Sequence, residues 1–142
     1  MPLILASASP IRAHMLAAAG VSFEVVPANI DEAAAKARTK DRAHLARELA
    51  EAKAVAVSAH QAGDWVIGSD SVAACAGRRF DKPTTRAKAA EHLRYFSGQP
   101  LTLTSAVALA RDGQADWSHT DTATLHVRPL SDDFIAAYLD AE

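Results

Sequence analysis

The chain alternates between short apolar runs and longer stretches with helical spacing. Residues 3–6 are apolar at every position, the pattern of a strand buried on both faces. Ser7-Ala8-Ser9-Pro10 then predicts a turn that opens a helix over residues 11–19. Ser9 is placed as its N-cap, Pro10 as its first residue and Gly20 as its stop. Residues 22–27 read as a second strand, with Ile30-Asp31-Glu32 in the loop beyond it. Residues 41–60 give the clearest helical pattern, capped by Asp41, with Leu45, Leu49, Ala52 and Ala56 on one face. Residues 65–68 enter a strand that Ser69-Asp70-Ser71 interrupts before the apolar residues 72–76. Gly77-Arg78-Arg79 predicts a turn, and Phe80 a short return strand. Thr84 or Thr85 begins another helix with Ala87, Ala90, Leu93 and Phe96 inward, ended by Ser97-Gly98. Residues 101–110 and 115–127 form the arms of a hairpin around Arg111-Asp112-Gly113-Gln114. Ser131 caps a last helix whose stripe is Phe134, Ile135, Tyr138 and Leu139. Strands and helices alternate without repeat or linker, which predicts an α/β fold: a mixed twisted sheet flanked by helices, in one domain spanning residues 1–142.

Composition sharpens this picture. Of the 142 residues, 33 are alanine, so the 49% hydrophobic fraction is lean in large side chains. Such a chain builds its core from helices that pack closely. Lysine and arginine number 15 against 17 acidic residues, a net charge of −2. A polycationic nucleic-acid binder is therefore excluded, and any anionic ligand must be met by a local cluster of positive groups. The single cysteine, Cys75, permits no intramolecular disulfide and no cysteine-only zinc site. No apolar run approaches the roughly 18 residues of a membrane span, and the first residues lack the pattern of a signal peptide. The expectation is a cytoplasmic protein without membrane attachment.

Three groups of residues could carry chemistry. A strand that feeds Ser7-Ala8-Ser9 into a helix presents backbone N–H groups, two hydroxyls and a helix dipole at one point, with Arg12 in the first turn. That arrangement suits an anion, and equally suits plain capping with a solvated Arg12. Glu32 and Asp70 lie near strand ends, where two carboxylates can hold a hard divalent cation. The plainer readings are an exposed Glu32 and a turn-forming Asp70. Lys53 lies beside the inward face of the long helix, and Lys82 precedes a proline that restricts its loop. The six histidines show no metal-binding spacing, and neither GxxxxGK[ST] nor GxGxxG occurs.

Several segments, taken in order, resemble the Maf family of nucleoside triphosphate pyrophosphatases. They are Leu3-Ile4-Leu5-Ala6-Ser7-Ala8-Ser9-Pro10-Ile11-Arg12, Ile30-Asp31-Glu32, Leu45-Ala46 with Ala50 and Lys53-Ala54, and Ile67-Gly68-Ser69-Asp70. Lys82-Pro83, Leu93 with Phe96-Ser97-Gly98, and Val127-Arg128-Pro129-Leu130-Ser131 complete the series. The resemblance implies a sheet of the Maf and inosine triphosphate pyrophosphatase type. It also implies hydrolysis of a nucleoside triphosphate, non-standard ones included, to the monophosphate and pyrophosphate with Mg2+ or Mn2+. By motif position Asp70 is the general base, or the metal ligand that orients water, and Glu32 helps hold the metal. Ser7, Ser9, Arg12, Lys53 and Lys82 bind the triphosphate.

Ile11 and Ser71 stand where the family selects its base, and neither matches the residue common in the uridine/thymidine or the methylguanosine subgroup. Relative to the family the chain lacks a C-terminal segment. This leaves a second expectation, a catalytically impaired nucleotide-binding or regulatory relic. An uncovered sheet edge would also favour a homodimer.

Overall fold

The computed structural model describes residues 3–141. In chain order the elements are β1 (Leu3–Leu5), α1 (Pro10–Ala18), β2 (Glu24–Val25), α2 (Glu32–Arg38), α3 (Arg42–Ser58), β3 (Trp65–Cys75), β4 (Arg78–Phe80), α4 (Arg86–Phe96), β5 (Pro100–Arg111), β6 (Gln114–His126) and α5 (Asp132–Ala141). The strands form one mixed sheet in the order β2-β1-β3-β5-β6, with β4 paired to β3. β1 is parallel to both neighbours, with Leu5 opposite Val25 on one side and Ile67 on the other. β4 runs antiparallel to β3, with Phe80 opposite Ala73. The α/β class expected from the alternating pattern is what the chain forms.

The chain divides into two compact units, Met1–Ser71 with Ser105–Asp121, and Val72–Thr104 with Thr122–Glu142. In the first, Ile4, Leu5 and Ala6 are buried to within 2% of complete, as an apolar run between two strands demands. α3 supplies the other half of this core through Leu45, Ala46, Leu49, Ala50, Ala54 and Val57. The inward face is the expected one at Leu45 and Leu49 but not at Ala52 and Ala56, which are only half-buried. The reason is Gly68. A Cβ built there would lie 2.7 Å from the Ala54 nitrogen and 2.9 Å from its Cβ, and closer still to the Ala50 carbonyl oxygen. The helix rests its backbone on the strand where that strand has no side chain, so the i, i+4 row of Ala46, Ala50 and Ala54 turns inward. The far ends of these elements are pinned as well: Gly113 N–H donates to Ser58 Oγ at 3.0 Å, and Gly63 N–H to Asp112 Oδ1 at 2.9 Å.

The second unit is built around Phe80. Its ring meets those of His92, Tyr95 and Phe96 at centroid distances of 4.8–5.0 Å, and the Arg78 guanidinium lies 4.6 Å from its centroid. α4 begins at its N-cap Thr85, whose hydroxyl accepts from Lys88 N–H at 3.1 Å. α4 contributes no fully buried residue, since Ala87 is exposed and Ala90, Leu93 and Phe96 are half-buried. α5 is joined to it by Arg94–Asp132 and Arg86–Asp140 ion pairs at 3.1 and 2.8 Å. Ser131 caps α5 as expected, accepting from Phe134 N–H at 3.1 Å. Of the expected stripe only Ile135 is fully buried; Phe134 and Tyr138 are exposed.

Other expectations also meet corrections. Ser69-Asp70-Ser71 does not interrupt a strand: β3 runs through it without a break, because small polar residues keep the alternation of sides intact. The turn after β3 is Ala76-Gly77, both at positive φ (50° and 80°), and the hairpin tip Asp112-Gly113 repeats that geometry (51° and 79°). Two positive φ values in a two-residue loop match the twist of the strands it joins. Among the described residues no helix is long and apolar enough to cross a membrane.

Replacing Gly68 with alanine should force α3 off the strand. We expect a loss of about 3 kcal/mol or more and a melting temperature lower by roughly 10 °C, read by circular dichroism. An unchanged melting temperature would show that the helix can yield.

Candidate functional site

Three segments of the first unit carry the candidate residues. β1 ends where Ala6 N–H donates to Ile67 O at 2.8 Å, and the chain then leaves the sheet. Ser7, buried to 6% exposure, turns it by accepting Ser9 N–H on its hydroxyl at 3.1 Å. Ser9 takes the N-cap position with Pro10 behind it, but its own side chain makes no capping hydrogen bond. The capping expectation thus holds for the backbone and fails for the hydroxyl. In the first turn of α1, Arg12 Nη2 points to Ser71 Oγ at 3.5 Å. Ser71 in turn shares a 2.8 Å hydrogen bond with Ser105 Oγ on β5. Ile11, just before Arg12, is 72% exposed.

β3 passes below this turn. Its alternation places Gly68 and Asp70 on the α3 side and Ser69 and Ser71 on the other. Asp70 is therefore not at a strand end or in a turn but mid-strand, and only 8% exposed. Ser69 spends its hydroxyl on Ala106 O at 2.9 Å. From α3, one residue before the Ala54 that abuts Gly68, Lys53 reaches Asp70 Oδ1 at 2.9 Å and Glu32 Oε1 at 3.2 Å. Its side chain is 14% exposed, that of Asp70 12%, and that of Glu32 44%. One ammonium group thus joins two carboxylates contributed by two separate elements.

Glu32 was expected in a loop and is instead the first residue of α2, behind its N-cap Asp31, whose Oδ1 accepts Ala34 N–H at 3.1 Å. α2 was not legible as a helix because it buries only Ala35 and so shows no apolar stripe. The available signal was Asp31 followed by glutamate and an alanine run. What holds α2 on α3 is a clamp at its far end. Glu48 pairs with Arg38 and accepts the hydroxyl of the buried Thr39 at 2.8 Å. The Thr39 hydrogen bond, and then that of Arg38, hold the Glu48 carboxyl below its usual range.

Lys82 belongs to the second unit, exposed in the loop between β4 and α4. The structure thus gathers Glu32, Lys53 and Asp70 in one ion triad and Arg12 with Ser71 in another contact. Ser105 was not foreseen, since the register of β5 on β3 cannot be read from the chain. For a cation, Glu32 and Asp70 offer hard oxygen donors. Among the described residues no group of three or more His, Cys, Asp or Glu comes together, so phosphate and water would have to complete the shell. That is the donor set magnesium accepts, and the residues fit it.

Comparison with known proteins settles the lineage. The family described as "Maf-like protein" matches residues 2–142. The chain belongs to the Maf family. A Maf relative from Nitrobacter hamburgensis, named nucleoside triphosphate pyrophosphatase, is 46% identical over 142 residues, covering 99% of this chain and 70% of the relative. A second from Rhizobium meliloti, named 7-methyl-GTP pyrophosphatase, is 45% identical over 141 residues, covering 96% of this chain and 71% of the relative. Among solved structures, the nucleoside-triphosphatase / dITP/XTP pyrophosphatase of Mycobacterium abscessus is 18% identical with a TM-score of 0.47, over 87% of this chain and 70% of its own.

The Glu48 clamp makes a pH prediction for this Maf protein. A carboxyl whose folded pKa is depressed stabilises the fold fully above the unfolded glutamate value, about 4.3, and loses that contribution as pH falls through the depressed value. Amide protection factors across α2, which compare the exchange rate with that of an unstructured peptide at the same pH, should therefore fall in acid below that range. In Glu48→Gln protection should already be lower at neutral pH and show a smaller acid step.

Proposed function

We propose that this chain hydrolyses nucleoside triphosphates between the α and β phosphates, releasing the monophosphate and pyrophosphate. The observation that carries the reading is Asp70: a carboxylate 8% exposed, mid-strand, hydrogen-bonded to Lys53 at 2.9 Å with Glu32 on the same ammonium. A buried charge is costly, and a strand buried on that face gains nothing in packing from an aspartate. The names carried by the two Maf relatives, nucleoside triphosphate pyrophosphatase and 7-methyl-GTP pyrophosphatase, support the same chemistry.

In this mechanism Asp70 orients a water molecule toward the α phosphorus and accepts its proton. The new oxygen–phosphorus bond forms as the bond from the α phosphorus to the α–β bridging oxygen breaks, and pyrophosphate departs with the bridging oxygen. Lys53 and Arg12 meet the charge that grows on the leaving group, and the backbone N–H groups at the Ser7–Ser9 turn and the start of α1 hold phosphate oxygens. A divalent cation, Mg2+ or Mn2+, held by Glu32 and Asp70 would supply further charge neutralisation on the phosphates. Ser71, one of the two positions assigned to base choice, accepts from Arg12, and Ile11, the other, precedes Arg12 in the chain.

Asp70→Asn keeps the shape of the side chain and removes the base. Pyrophosphate release, measured over a panel of nucleoside triphosphates with Mg2+ or Mn2+, should fall by roughly a hundred- to ten-thousand-fold. Retained turnover in a folded Asp70→Asn variant would overturn the assignment.

A further inference from the structure

The triad poses a problem for cation binding. Two carboxylates that are to hold a divalent ion are already bridged by a positive charge, with Lys53 Nζ at 2.9 Å from Asp70 and 3.2 Å from Glu32. A lysine ammonium and a hard divalent cation compete for the same lone pairs, and repel each other if both are close. The lysine cannot be regarded as a surface group that merely happens to pass by. Its side chain is 14% exposed, and its backbone is fixed beside Ala54, where α3 abuts Gly68. Its four-carbon stem, however, lets the charged end change partner without any movement of the helix.

We infer that Lys53 is a placeholder cation. It partly offsets the charge of Glu32 and Asp70 while the site holds no nucleotide, and it moves to the polyphosphate when a divalent ion arrives with its nucleotide. The inference rests on the proposed metal-assisted reaction and deepens it by giving an order: the cation is admitted together with the triphosphate, because only the triphosphate offers Lys53 another anion. The exchange leaves neither carboxylate without a cation at either stage. Two carboxylates start with one ammonium; afterwards they hold the divalent ion, and the ammonium faces phosphate oxygens. The nucleotide-free protein is thereby kept from accumulating free cations, and Glu32 and Asp70 are spared mutual repulsion.

The experiment is a titration of the nucleotide-free protein with Mn2+, following loss of the free-ion signal by electron paramagnetic resonance. Wild type should bind weakly. Lys53→Met, which keeps the apolar stem and removes the charge, should bind Mn2+ about tenfold more tightly or better. Adding Asp70→Asn to Lys53→Met should abolish that gain. Mn2+ should also raise the melting temperature of Lys53→Met more than that of wild type. Should Lys53→Met fail to fold, Lys53→Gln tests the same loss of charge.

Equal or weaker Mn2+ binding in the folded, charge-free variant would overturn the inference. The two readings fail separately. Pyrophosphatase activity in wild type with no gain in Lys53→Met removes the placeholder and leaves the reaction. Tight Mn2+ binding in Lys53→Met with no nucleotide hydrolysis in wild type does the reverse.

Discussion

The first unit is organised by the approach of one helix to one strand at a residue with no side chain. At Gly68 the β3 backbone meets Ala50 and Ala54 of α3 so closely that a methyl group has no room. Helices pack at distances set by the side chains between them, and here those side chains are nearly absent. The consequence reaches the chemistry directly. Asp70 is the next residue on the same side of β3, and Lys53 is the residue before Ala54, so the contact that seats the helix also sets the 2.9 Å ion pair. The abundance of alanine acquires a specific meaning at this place: the 46, 50, 54 row is a smooth track for a strand.

A second constraint brings in Glu32. α2 has only Ala35 in the core, far too little apolar surface to seat a helix by burial alone. Asp31 caps it locally, and polar bonds at its two ends tie it to α3, the Glu32–Lys53 ion pair at the start and the Glu48 clamp at the finish. The site therefore combines a rigid pair, Lys53 and Asp70, with a third charge on a polar-tethered helix. A site that must accept a highly charged ligand gains from such a division, since the carboxylate that adjusts is the one 44% exposed.

Much of this was legible in the chain and some was not, for identifiable reasons. Ser9-Pro10 before an apolar-periodic run and Gly20 after it located α1 almost to the residue, since caps act locally. Asp112-Gly113 located the long hairpin on the same principle. The helix of α3 was clear and its two leucines point inward as expected, but spacing could not tell which alanines join them, because the glycine contact selects 46, 50 and 54 over 52 and 56. α2 was missed since its determinants are polar. Glu32, Lys53 and Asp70 could each be picked out as chemistry-bearing residues. Their meeting at one nitrogen could not, because it depends on the distance between α3 and β3.

Among the described residues β1 pairs with β3 from Trp65 to Ile67, and side chains on β3 change sides at every step. Asp70 and Ser71 are consecutive, so their assignments to the lysine side and the arginine side are two readings of one count. Inserting a single amino acid between the paired segment and position 70 would shift each by one place, presenting a hydroxyl to Lys53 and a carboxylate to Arg12. In this short stretch the spelling of the gene is constrained in number as firmly as in kind.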